Sequence, residues 1–112
     1  MKVFVVFLFL MFGFSSVAQV TKVDNRIVLE GKSAFEAYAC NNCHGNKGDK
    51  LGDFSGLKKR FSDEEIIRYI KNPRLYGNKL MPVYDGVIPS DKLNTLVHYL
   101  HHLGSEQTPK KL

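Results

Sequence analysis

Cys40-Asn41-Asn42-Cys43-His44 contains the only two cysteines of the chain, with a histidine directly behind the second. A C-x-x-C-H run of this kind is an attachment site for a c-type haem. The spacing is chemical. Two thiols add to the two vinyl groups of one porphyrin, so they must lie a short fixed distance apart, and the following imidazole is carried under the iron as an axial ligand. Other uses of the pair fit less well. A structural zinc site takes about four Cys/His ligands, usually as two separated pairs, whereas His98, His101 and His102 cluster far downstream. A thioredoxin-like pair belongs in a βαβ pattern, and no strand-rich stretch follows the first residues. A disulfide across two residues closes a loop too small to gain much.

The start of the chain has the layout of an export signal. Lys2 is a positive start, Val3 to Phe14 is an uncharged apolar run, and Ser16-Val17-Ala18 offers small residues at the positions a signal peptidase reads. Cleavage is expected after Ala18, making residues 1–18 a signal peptide and placing the protein in the periplasm or otherwise outside the cytoplasm. The apolar run is shorter than the ~20 residues of a membrane span, and no cysteine follows it to carry a lipid. No stable membrane insertion is therefore expected after cleavage; an uncleaved anchor is the alternative. Taking 18 residues from 112 leaves 94, one domain by length. Phe4, Phe7, Phe9, Phe12 and Phe14 leave with the leader, so the remaining chain has little apolar mass of its own. A covalently held haem would supply what is missing.

Without Lys2 the formal charge falls from +5 to +4, and two haem propionates would reduce it to roughly +2. So small an excess on an exported chain argues against nucleic acid as a partner. The lysines and arginines either form a solvated surface or a weakly positive face that steers docking to an acidic partner.

Residues 19–30 read as a polar lead-in. A short helix is expected from about Gly31 to Ala39, with Ala34, Phe35 and Tyr38 on one side, delivering the chain into Cys40. Gly45, Gly48, Gly52 and Gly56 mark a loop that wraps the haem edge, with Leu51, Phe54 and Leu57 as its apolar contacts. Ser62 and Glu65 form a capping box ahead of Ile66, Ile67 and Ile70, and Pro73 stops that helix at Asn72. A second loop, Gly77 to Pro89, contains Met81-Pro82. Ser90 is expected to cap a last helix with Leu93, Leu96, Val97, Leu100 and Leu103 as its stripe. Gly104 is expected to end it, and residues 105–112 read as a polar tail.

A haem held through His44 leaves one axial position. A thioether suits it, since it favours reduced iron and raises the potential. Met81 is the only methionine beyond the leader and lies 37 residues after His44. On the last helix His98 and His102 point away from the leucine stripe and His101 lies at its margin, so these read as surface histidines rather than ligands.

Taken together, the chain resembles the class I c-type cytochromes in their short bacterial form, over about residues 31–103. The likeness rests on Gly31-x-x-x-Phe35 ahead of Cys40-x-x-Cys43-His44, on Lys79-Leu80-Met81-Pro82, and on Leu96-Val97-His98-Tyr99-Leu100. It implies an all-α, cytochrome c-like domain over 31–104: three main helices around one covalently bound haem c, with crossing N- and C-terminal helices. Gly31 would permit their close approach, and Phe35 would pack on Leu96 and Tyr99. The cofactor-binding residues would be Cys40, Cys43, His44 and Met81, with His44 and Met81 on the iron. One departure is plain. The family commonly has Gly-Pro after the haem motif, the proline carbonyl accepting a hydrogen bond from the proximal histidine; here the stretch reads Leu51-Gly52-Asp53-Phe54.

The resemblance implies a monomeric, non-enzymatic carrier of one electron. It would dock transiently with redox partner proteins through a haem edge ringed by Lys47, Lys50, Lys58 or Lys79. The alternatives are a haem-based gas sensor and a cytochrome subunit of a larger oxidoreductase complex.

Overall fold

The computed structural model describes residues 17–107, with side chains described from residue 25. The signal-peptide reading rests mainly on residues 1–16, which lie outside that range, as do residues 108–112 of the expected tail. The described residues are helical, with no strand among them. The helices are α1 (Val17–Ala37), α2 (Cys40–His44), α3 (Leu57–Arg60), α4 (Asp63–Lys71) and α5 (Ser90–Glu106), with a 3₁₀ turn at Pro73–Tyr76 between α4 and α5. This is the all-α, cytochrome c-like architecture expected, with α1, α4 and α5 as its three main helices.

Helix α1 is far longer than the expected Gly31–Ala39 segment, and it ends sooner, at Ala37. Residues 19–30 contain neither glycine nor proline. Once the packed end has nucleated, nothing in them stops helix from extending toward the N-terminus. The chain leaves α1 through Ala39, whose φ of 60° is left-handed. That conformation is costly for a residue with a Cβ, and it swings the backbone directly into Cys40.

Gly31 lies where α1 meets α5. A Cβ on it would overlap the Thr95 carbonyl oxygen and come within 2.5 Å of Tyr99 Cβ. The contact is thus closed to any larger residue, as the resemblance implied. Four residues on, Phe35 is buried and meets the Tyr99 ring edge-on, centroids 5.3 Å apart. Ala34 and Phe35 of α1, Ile66 and Ile70 of α4, and Leu93, Leu96, Val97, Leu100 and Leu103 of α5 form one buried cluster.

Helix α4 follows its sequence signals. Ser62 Oγ accepts from the Glu65 N–H at 3.2 Å and donates to the Glu65 carboxylate at 3.1 Å. Asp63, Glu64 and Glu65 occupy the positive end of the helix. At the other end Asn72 is extended (φ −146°, ψ 78°) ahead of Pro73. The chain then makes the 3₁₀ turn, which the sequence reading placed in no element.

Helix α5 departs from expectation at both ends. Ser90 is its first residue rather than its cap. Extended Pro89 (φ −60°, ψ 152°) occupies the cap position, and its carbonyl accepts the Leu93 N–H at 2.9 Å. Gly104 does not end the helix, which continues to Glu106. It is a contact glycine instead: a Cβ there would overlap the carbonyl oxygen of Phe54.

His101 corrects the reading of all three late histidines as exposed. Its side chain is only 16% exposed, and its Nε2 lies 2.8 Å from Asp63 Oδ1. The pairing ties α5 to the first residue of α4. His98 and His102 are exposed, as expected.

Candidate functional site

Helix α2 is a single short turn that carries Cys40, Cys43 and His44. Gly45 closes it with a positive φ of 80° and an extended ψ of 161°, its N–H bonded to the Asn41 carbonyl at 2.9 Å. The glycine-rich loop then doubles back under the histidine. The Lys50 N–H bonds to the His44 carbonyl at 3.0 Å, and the Phe54 ring lies 5.2 Å from the imidazole.

The His44 ring is held by this loop. His44 Nδ1–H donates to the main-chain carbonyl of Leu51 at 2.5 Å. Asp53 stands where the family commonly has proline, and the acceptor lies two residues earlier. The result for the ring is a defined tautomer, with the proton on Nδ1 and the Nε2 lone pair free for a metal. Leu51 serves through its backbone, for its side chain is more than half exposed and is not among those packed against the core.

The loop in turn is fixed to the end of α5. Gly104 abuts the Phe54 carbonyl, Gly48 lies against the Phe54 ring, and Gln107 Nε2 donates to the carbonyls of Lys47 and Gly48 at 3.0 and 3.1 Å. Gly104 matters for contact alone, Gly48 both for contact and for the positive φ (68°) of its turn, a difference that turn propensity does not disclose.

Beside His44 opens a cavity of about 480 Å³, within the range of small-molecule and cofactor sites. Its walls are chiefly apolar, with Phe35, Leu57, Ile66, Ile70, Leu96 and Leu100 among them. Cys40, His44 and Met81 all line it. Cys43 is on the same turn of helix and is exposed, outside the cavity lining, and the two cysteines form no disulfide. Burial pushes the Cys40 thiol up, against an opposing backbone hydrogen bond. His98, His101 and His102 do not line the cavity, so the structure brings together Met81 and His44, not a second histidine.

Two residues near Met81 escaped the sequence reading. Asn78 Oδ1 accepts from the N–H groups of Leu80 and Met81 at 3.0 and 3.1 Å, while its Nδ2 donates to the Tyr69 hydroxyl at 2.8 Å. The Tyr84 hydroxyl donates to the Tyr38 carbonyl at 2.7 Å, a contact spanning 46 residues of sequence. Burial first, and the Cys40 and Cys43 thiols second, push the Tyr84 phenol up, so it remains a donor. An asparagine shortly before the methionine is the only local sign of the first contact; the second has none.

The residues present suit a c-type haem: two cysteines one helical turn apart, an imidazole whose Nδ1–H is committed to a carbonyl, and an apolar chamber lined by Cys40 and His44. The profile of the family described as cytochrome C oxidase, cbb3-type, subunit III, matches residues 27–100, more than half of the chain. The chain belongs to that family. It is a c-type cytochrome domain, a class of electron carriers that bind haem c covalently. The match begins four residues before Gly31 and takes in α2, the Met81 loop and most of α5. No curated protein and no solved structure matches it. Among the described residues of this cytochrome domain, no helix is long and apolar enough to cross a membrane.

Proposed function

We propose that the chain is an exported monohaem cytochrome that passes single electrons between partner proteins. Cys40 and Cys43 would hold one haem c by thioether bonds, with His44 and Met81 as the axial ligands. The observation that carries this reading is the shared lining of one apolar cavity by Cys40, Met81 and a His44 ring whose Nδ1–H is committed to a main-chain carbonyl. When bound, the haem supplies an iron that alternates between ferrous and ferric states. The chain's own residues do the rest. The Leu51 carbonyl orients the imidazole and raises its basicity as a ligand. The apolar walls keep water from the iron. Arg60, the only lysine or arginine lining the cavity among the described residues, offers charge to a propionate. With His44 and Met81 both bound to it, a haem iron would offer no open position to substrate, so the proposed role is transfer rather than catalysis.

The test begins with protein made in a host that attaches haem. After denaturation the polypeptide should retain haem stain, and its mass should show one haem adduct. The folded protein should give a six-coordinate low-spin spectrum that carbon monoxide leaves unchanged. A chain of unmodified mass would refute covalent attachment. A high-spin spectrum that shifts with carbon monoxide would favour the gas-sensing alternative.

Docking is proposed to be transient, by a monomer, through the positive rim to which Lys79 belongs. Lys79 is exposed two residues before Met81. Lys79→Glu should slow electron transfer to an acidic partner several-fold at low ionic strength and much less at high salt, because exposed charges are screened there. Stopped-flow rates independent of the substitution would remove Lys79 from the docking face. The family's description as an oxidase subunit supports a second reading, in which the partner is a membrane oxidoreductase that keeps the cytochrome as a subunit. Co-purification of stoichiometric partner chains would select that reading.

A further inference from the structure

The Met81 loop is held by full burial only at its far end, where Ile88 enters the core. Residues 77–89 contain no helix. The side chains beside Met81 do not anchor it: Leu80 is 93% exposed, and Pro82 and Val83 are exposed as well. Pro82 also has no N–H to donate. Burial of neighbouring side chains therefore does not hold Met81 against the cavity.

Polar contacts flank it instead, three residues away on each side. Upstream, Asn78 gathers the Leu80 and Met81 N–H groups on one oxygen and fastens itself to Tyr69 of α4. Downstream, Tyr84 reaches the carbonyl of Tyr38, two residues before Cys40, and its ring meets the Tyr38 ring edge-on with centroids 6.3 Å apart. The Asp85 N–H adds a bond to the Lys71 carbonyl at 3.0 Å, at the end of α4. The two contacts use different elements, so neither depends on the other.

We propose that Asn78 and Tyr84 are positioning residues that pin the Met81 loop shut, and that these pins keep outside ligands from the iron. The proposal rests on Met81 being the axial ligand. A thioether is a weak, neutral ligand, and the fraction of time it is away from the metal follows the freedom of its loop. Loosening either pin enlarges that fraction, and an added ligand captures the open form in proportion. Because Asn78 acts through backbone N–H groups, it restrains the path of the chain at Met81 itself. Tyr84 acts at longer range, linking the loop to the segment that delivers the thiols.

The experiment titrates ferric holoprotein with imidazole and records the sulfur-to-iron charge-transfer band of the unligated form. In Asn78→Ala, imidazole should bind about tenfold more tightly than in the parent, equivalent to about 1.4 kcal/mol. Tyr84→Phe, which removes one hydroxyl and keeps the ring, should tighten binding several-fold. The double variant should multiply the two effects, as independent contacts do. Asn78→Asp keeps an acceptor for both N–H groups and should return binding close to the parent value. A merely structural role would lower thermal stability without this pattern of affinities. Unchanged imidazole affinity in Tyr84→Phe and Asn78→Ala, with the charge-transfer band present in the parent, would overturn the pins alone. If the parent itself lacks that band and binds imidazole as tightly as Met81→Ala, the ligand assignment falls, and the proposal with it. Should Asn78→Ala fail to accumulate, Tyr69→Phe and Tyr84→Phe decide the matter, since each removes only an oxygen.

Discussion

Met81→Ala will lower the reduction potential by on the order of 100 mV, a small part of the roughly 0.8 V that axial ligands command. Thioether sulfur is soft and stabilises ferrous iron more than ferric. Water or an empty position gives up that preference, so the oxidised state gains. At about 59 mV per decade for one electron, the change is a little under two decades in the redox equilibrium. The same substitution would open the iron, so carbon monoxide should bind where the parent excludes it, and imidazole should bind much more tightly than in the parent. Because the loop neighbours of Met81 are exposed, truncating it leaves most of the core untouched and the haem should remain attached. Redox titration and a carbon monoxide difference spectrum check both effects. A variant with the parent's potential and spectrum would show that another side chain completes the iron.

Gly104→Ala will destabilise the holoprotein by about 3 kcal/mol or more, the upper end of overpacking costs. The added Cβ would overlap the Phe54 carbonyl oxygen and come within 2.9 Å of its carbon. Both atoms are backbone, so no rotamer change relieves the overlap. Either α5 rises from the 45–56 loop or the loop moves. For a domain of this size each kcal/mol is worth about 4–8 °C, so a fall of roughly 12–24 °C in melting temperature is expected. The damage should also reach the haem spectrum, because the displaced loop carries the Leu51 carbonyl that holds His44. A melting temperature within a few degrees of the parent would mean that the loop yields easily at Phe54.

These two residues mark the limits of what the sequence discloses. The placing of Met81 on the cavity beside His44 was foreseeable, because a C-x-x-C-H run creates a demand for one more ligand and Met81 is the only methionine after residue 18. Gly104 was visible as a residue and misread as a helix end. Glycine is common there, and only the tertiary contact shows why the side chain is missing. Helix α4 was readable to within a residue because Ser62, Glu65 and Pro73 act locally. Helix α1 was not, since residues 19–30 have no apolar period to announce a helix and no breaker to forbid one. The pairing of His101 with Asp63 crosses 38 residues, and that of Tyr84 with Tyr38 crosses 46; no local signal announces either. The acceptor for His44 is the Leu51 carbonyl, in the stretch where the family commonly has Gly-Pro, because backbone path, not residue type, decides which carbonyl faces the ring.

That last contact bears on how such a chain tolerates change. Since Leu51 contributes only peptide oxygen, its side chain can drift through generations of substitution at little cost to the imidazole. Selection at this point would act on the course of the main chain, which Gly45 and Gly48 shape with their positive φ angles, so the stretch could lose its spelling long before it loses its job.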